Sequence, residues 1–165
     1  GKEHRSYEEC IRIGQLLADE ALRILAPAPT QENPPLYVTA RRIKFPVESK
    51  MMLEITRLSP LGYPPPEEGN KISAQVNLIN LGNAQILTIP GEALPNIGYY
   101  LKRKMHGTHN LLFGLTNDAF GYILTKVDFN SFHRYDYICR TSLGEMTGEI
   151  YMEQALRMAD ESPRP

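Results

Sequence analysis

Hydrophobic positions along the chain change their period several times, and each change marks an element. Ser6-Tyr7-Glu8-Glu9 has the form of a capping box: Ser6 accepts from an orphan amide and Glu9 reaches back to the cap. Ile13, Leu16, Leu17, Ala21 and Ile24 then recur at helical spacing, and Pro27 stops the helix. Residues 27–35 hold four prolines among polar residues and read as a semi-rigid connector. Leu36 to Phe45 is β-like and is closed by Pro46, whereas Met51 to Leu58 fits a helix or a strand. Residues 59–70, with Pro64-Pro65-Pro66 and then Glu67-Glu68-Gly69-Asn70, form a second Pro-rich connector, expected as an exposed loop.

Strict alternation begins at Lys71. Ile72, Ala74, Val76 and Leu78 share one side while Lys71, Ser73, Gln75 and Asn77 share the other, which predicts a strand with one wet face. Gly82-Asn83 signals a hairpin turn. Ala84 to Ile89 is mostly apolar, and a strand buried on both faces is expected. After Pro90-Gly91-Glu92, the spacing of Ile97, Tyr100, Leu101 and Met105 predicts a helix with Pro95 in its first turn. Lys102, Arg103 and Lys104 in the last turn complement the helix dipole, a phosphate-binding patch being the other reading. Asn110 to Leu115 reads as a short buried strand, followed by a loop at Thr116-Asn117-Asp118. Gly148 to Ala159 is a final amphipathic helix with Ile150, Tyr151, Ala155 and Met158 inward. The order predicts an α/β or α+β fold: a layered mixed sheet flanked by helices, as a single domain or domain fragment over residues 1–165.

Composition narrows the function classes. The chain has 165 residues, 42% hydrophobic and 22% charged, enough to bury a core without a disulfide or metal staple. A net charge of −1 argues against a dedicated nucleic-acid binder. No apolar run is long enough to suggest a membrane span. Cys10 and Cys139 make no framework; two small buried hydrophobes are expected rather than a disulfide. The polar start at Lys2, Glu3, His4 and Arg5 is unlike a secretory signal. Without an initiator Met, Gly1 is consistent with a cleavage scar, and a piece of a longer protein is expected.

Ligands of open α/β sheets gather beyond the carboxyl ends of strands, which makes Glu92 the foremost chemical candidate. A carboxylate there suits metal ligation or acid/base work, or simply a favourable place in a helix's first turn. Asn117 and Asp118 at the next strand end suit ligand orientation or an Asx-turn. Gly121-Tyr122 follows, then the aromatic-acidic cluster Tyr135, Asp136 and Tyr137, residue types that more often pack than ligate. His106 and His109 are three apart, but Gly107 intervenes and no third ligand lies nearby; His4 and His133 are isolated. No P-loop, nucleophile elbow, H-E-x-x-H or C-x-x-C motif occurs.

Three segments together resemble the neutral/alkaline ceramidase family. They are Gly82-Asn83-Ala84 through Pro90-Gly91-Glu92; Gly114-Leu115-Thr116-Asn117-Asp118 with Gly121-Tyr122-Ile123; and Tyr135-Asp136-Tyr137 leading to Thr141-Ser142-Leu143-Gly144. The opening helix, with Tyr7, Gly14 and Leu17, is similar to the one preceding this region, and order and spacing hold from about residue 6 to 158. The resemblance implies the C-terminal part of a zinc-dependent amidohydrolase domain. Glu92 and Tyr137, or Tyr135 in another register, would be metal ligands; Asn117, Asp118 and Tyr122 would order the loops around metal or substrate. Asn83, Thr116 and Ile138 depart from the family pattern, and its histidine-rich zinc segments have no counterpart here. The implied partners are therefore the missing N-terminal half of the same domain and a small-molecule or lipid amide, in a parent that the resemblance places outside the cytoplasm, secreted or periplasmic. The chain alone is expected to bind zinc poorly and to be inactive. The alternative is a non-catalytic α/β ligand-binding or structural module.

Overall fold

The computed structural model describes residues 6–60, 62 and 64–165. The polar start at Lys2 to Arg5, His4 included, lies outside them, as do Leu61 and Tyr63 of the second connector. The chain divides into two compact units, with the boundary after Asn33.

The first unit is one helix, α1 (Tyr7–Leu25). Ser6 caps it as the sequence predicts, its Oγ accepting from the Glu9 amide at 3.2 Å. The return limb of the expected box is different: the Glu9 carboxylate grips the Arg12 guanidinium at 2.6–2.8 Å instead. None of the residues of α1 is buried, its apolar stripe included.

The second unit runs β1 (Leu36–Pro46), α2 (Lys50–Leu58), β2 (Lys71–Leu81), β3 (Ala84–Thr88), β4 (Glu92–Ala93), α3 (Pro95–Lys104), β5 (His109–Phe113), β6 (Tyr122–Ile123), α4 (Asp136–Arg140) and α5 (Thr147–Glu161). A single 3-10 turn, His133–Tyr135, precedes α4. The segment that fitted two readings is the helix α2, because Ser49 supplies a cap to the Met52 amide at 3.3 Å. The main sheet has the order β1-β2-β3-β5. Its first two pairings are antiparallel and β3–β5 is parallel, with α3 in the crossover, so the sheet is mixed as expected. β4 and β6 form a separate parallel pair.

Ile43, Phe45, Ala74, Val76, Leu78 and Leu87 line one buried face of the sheet. α5 lies across β1 and β2, while α3 packs on α5 and β5. The predicted face of α5 turns inward: Tyr151, Ala155 and Met158 are buried and Ile150 packs at the margin. Burying a side chain of the size of Met158 contributes roughly 1.5–3 kcal/mol of transfer free energy. The Tyr151 hydroxyl donates to the Thr88 carbonyl at 3.0 Å, and burial pushes that phenol far up in pKa. A buried polar network ties the end of the chain to the sheet: Gln85 donates to Asn80 and Ser162, Asn80 donates to the Pro163 carbonyl, and Gln85 Oε1 accepts from the His106 amide.

The other sheet face departs from expectation. Register aligns Leu36 with Leu81, Val38 with Ile79, Ile79 with Ile86, and Ile86 with Leu111, with Phe113 following. This face is apolar yet open: Leu36, Val38, Leu111 and Phe113 are 67, 56, 41 and 48% exposed. The wet face of β2 is thus polar only as far as Asn77. Of the strands expected to be buried, residues 84–89 are buried at Gln85, Leu87, Thr88 and Ile89, whereas residues 110–115 hold no buried residue and are half-buried only at Asn110 and Leu112. The physical reason is one-sided layering, since the helices of this unit that pack on the sheet lie on its other face.

Both cysteines are free; Cys139 is buried as expected, whereas Cys10 is exposed on α1. Among the described residues no helix is long and apolar enough to cross a membrane.

Candidate functional site

Glu92 does not occupy the first turn of α3, which begins three residues later at Pro95 with no side-chain cap. It stands in β4, paired with Tyr122 of β6. The approach of these two strands depends on glycines. A Cβ on Gly91 would lie 2.6 Å from the Gly121 carbonyl. Gly121 has φ +77°, and a Cβ there would collide with the Thr141 carbonyl. With no side chain in the way, Glu92 N–H donates to Gly121 O at 2.8 Å and Leu94 N–H to Ile123 O at 3.0 Å. Tyr122 N–H then donates to Thr141 O at 3.2 Å. Thr141 in turn closes α4, donating from its amide and hydroxyl to the Tyr137 carbonyl at 3.1 and 2.8 Å.

This backbone chain brings three candidate side chains into one cluster. The Tyr122 and Tyr137 rings meet edge to face, 5.9 Å between centroids and 71° between planes. The Glu92 charge holds the Tyr122 phenol above its ordinary range; desolvation, Tyr137 and a hydrogen bond to Glu92 add to the shift. Tyr122, expected beside the site, therefore stands at its centre, between Glu92 and Tyr137.

The other candidates lie elsewhere. Tyr135 belongs to a separate aromatic group, its ring 5.5 Å from Phe132, with the Arg134 guanidinium 5.3 Å from each ring. Asn117 has φ +70° and donates to the Gln75 carbonyl at 3.2 Å, which anchors its loop to β2. Asp118 accepts from the Ala119 amide at 3.0 Å, and burial raises its pKa. Asp118 faces a different cavity from Glu92. His106 pairs with Asp160 at 2.9 Å, and His109 is exposed on β5. Among the described residues no group of three or more His, Cys, Asp or Glu side chains is placed to hold a metal ion.

Glu92 opens onto a cleft of about 650 Å³ bounded by Leu94, Tyr99, Lys102, Leu112 and Leu115. Tyr99 and Lys102 were not singled out from sequence as companions of Glu92. Their signal is positional: α3 starts just after Glu92 and crosses over to β5, so its residues at 99 and 102 return to the strand end.

No family model matches the chain, and no curated protein matches it in sequence. Solved structures do. A ceramidase complexed with C2 matches with a TM-score of 0.44 and 16% identity, covering 56% of this chain and 16% of that one. The neutral ceramidase from Pseudomonas aeruginosa matches with a TM-score of 0.50 and 18% identity, covering 74% of this chain and 28% of that one. The chain thus spans less than a third of the length of either protein. Over 74% of its length, this chain has the mixed α/β fold of part of that neutral ceramidase.

Proposed function

We propose that the chain is the C-terminal portion of a zinc-dependent amide hydrolase resembling neutral ceramidase, inactive alone because its histidine ligands belong to the rest of the domain. The observation that carries this reading is the joining of Glu92, Tyr122 and Tyr137 by the β4–β6 pair, at a strand end of a ceramidase-like fold.

The donor chemistry fits half a zinc site. Glu92 offers a carboxylate, and Tyr137, or Tyr135 in the other register, offers a phenol. A bound zinc ion with an open position would polarise the amide carbonyl and acidify a water. In this chain, Glu92 supplies the negative charge that attracts a cation, and Tyr122 stands against both Glu92 and the Tyr137 ring. Lys102 and Tyr99 sit in the adjoining cleft, where a small-molecule or lipid amide would lie. Asn117 and Asp118 act at a distance, by fixing the loop before Gly121. The open apolar sheet face is the kind of surface that a further layer covers, and the N-terminal half of the parent domain is the proposed layer. The same resemblance supports a secreted or periplasmic parent.

The test is the zinc content of the complete natural protein, purified without added metal. About one zinc per chain, lost in Glu92→Ala without loss of folding, is expected. The isolated chain should show no zinc-dependent amidase turnover. A tyrosine titration gives an independent readout: zinc should lower the pH at which the cluster's phenols ionise, the reverse of what Glu92 does alone. A well-folded parent without zinc would overturn the proposal in favour of a non-catalytic binding module.

A further inference from the structure

A second cavity, of about 350 Å³, opens between α2, the Pro64-Pro65 segment and the start of β2. Its walls are apolar, built by Met52, Ile55, Pro65, Ile72, Phe120 and Leu143. The volume lies at the small end of the roughly 300–1,000 Å³ typical of small-molecule sites. Neither Glu92 nor Tyr122, Tyr135 or Tyr137 lines it, so binding here and zinc at Glu92 are separately testable.

The polar groups of the pocket are not balanced. Arg42, Lys71, Glu67 and Asp118 all line it. The Glu67 carboxylate is already engaged, by Lys44 Nζ at 2.6 Å and by the Ser73 hydroxyl at 2.5 Å. Those two contacts, with Arg42 nearby, hold its pKa below the usual carboxylate range. Arg42 and Lys71 close no salt bridge of their own among the described residues. Asp118 is half-withdrawn from water, and burial disfavours its charged form. The pocket therefore offers an apolar interior beside two exposed cations, of which Arg42 shares Glu67 with Lys44 and Lys71 closes no salt bridge among the described residues.

We infer that this pocket binds a medium-chain monocarboxylate, its hydrocarbon tail against Phe120, Ile72 and Leu143 and its carboxylate toward Arg42 and Lys71. Burying successive methylenes drives the tail inward, and the two cations select the anion over a cationic or neutral head. Asp118 opposes the anion when ionised. Its removal as a charge, by Asp118→Asn, leaves an oxygen that still accepts from the Ala119 amide.

Isothermal titration of the full chain with octanoate tests this, with butyrate and octylammonium as comparators. Saturable 1:1 octanoate binding is expected, with butyrate at least about 30-fold weaker, from about 0.8 kcal/mol per buried methylene. Octylammonium should not saturate. Arg42→Gln with Lys71→Gln should weaken octanoate about fivefold or more, and Asp118→Asn should tighten it. Ala119 is exposed yet lines the pocket, so Ala119→Trp should fill it and remove binding while the urea midpoint holds. The proposal is overturned by an absence of saturable octanoate binding, by equal binding of octylammonium, or by unchanged affinity in the Arg42/Lys71 double variant. The Asp118 variant and the chain-length series decide the matter even if the Trp variant misfolds.

Discussion

The two faces of the main sheet carry similar apolar side chains and meet different fates. On one face, Phe45, Val76, Leu78 and Leu87 are fully enclosed beneath α3 and α5. On the other, Leu36, Val38, Leu111 and Phe113 stand open. An apolar strand residue states a preference for burial, but another layer must arrive to satisfy it. The covered face accounts for the stability of this unit. The open face is a preference left unmet within it.

Substitutions can break or sharpen this contrast. The largest effect is expected on the covered face: Phe45→Ala should cost about 3–5 kcal/mol in urea unfolding. A loss under 1 kcal/mol would mean that this face is not the structural one. Gly121→Ala comes next, at about 2–4 kcal/mol, because it adds both an unfavourable φ and a collision with the Thr141 backbone. It should also separate Tyr122 from Tyr137, seen as altered near-ultraviolet circular dichroism. Leu111→Gln on the open face should change the stability of the isolated chain by no more than about 0.5 kcal/mol. In the complete parent, the same change should cost several times more if a layer covers that face.

Two smaller effects concern charge. Burial raises the Asp118 pKa, so the fold favours its protonated form. As pH rises, the unfolded chain releases this proton first. The stabilising contribution is therefore complete below the unfolded pKa of about 3.9 and is lost as pH rises through the folded value. Asp118→Asn should remove that slope from a plot of urea midpoint against pH; an unchanged slope would assign it to other groups. Glu92→Gln should leave stability nearly unaltered and move Tyr122 ionisation to lower pH, followed by tyrosinate absorbance. An unmoved midpoint would detach Glu92 from the tyrosine cluster.

Much of the fold was legible locally. Ser6, Pro27, Pro46, Gly82-Asn83 and Pro95 act through their own backbone or through neighbours a few residues away, so their positions announce helix starts, stops and turns. The alternation of β2 and the helical spacing of α5 name their inward residues for the same reason. Of the candidate site, the sequence named Glu92 as a carboxylate past a strand end and Tyr137 through family resemblance. The central place of Tyr122 was not legible. It depends on β4 and β6, two residues each, too short to leave any periodicity, and on the bare backbones of Gly91 and Gly121.

Sequence by itself therefore determined the longer elements other than α2, the hairpin, the inward stripe of α5 and the mixed α/β class, because each rests on steric and periodic rules of short range. Tertiary structure alone decided which face of the sheet is covered, which tyrosine stands against Glu92, and where Asp118 points. Those outcomes depend on contacts between segments far apart in the chain, such as Glu92 with Tyr122 and Gly121 with Thr141, and no local pattern encodes such a meeting.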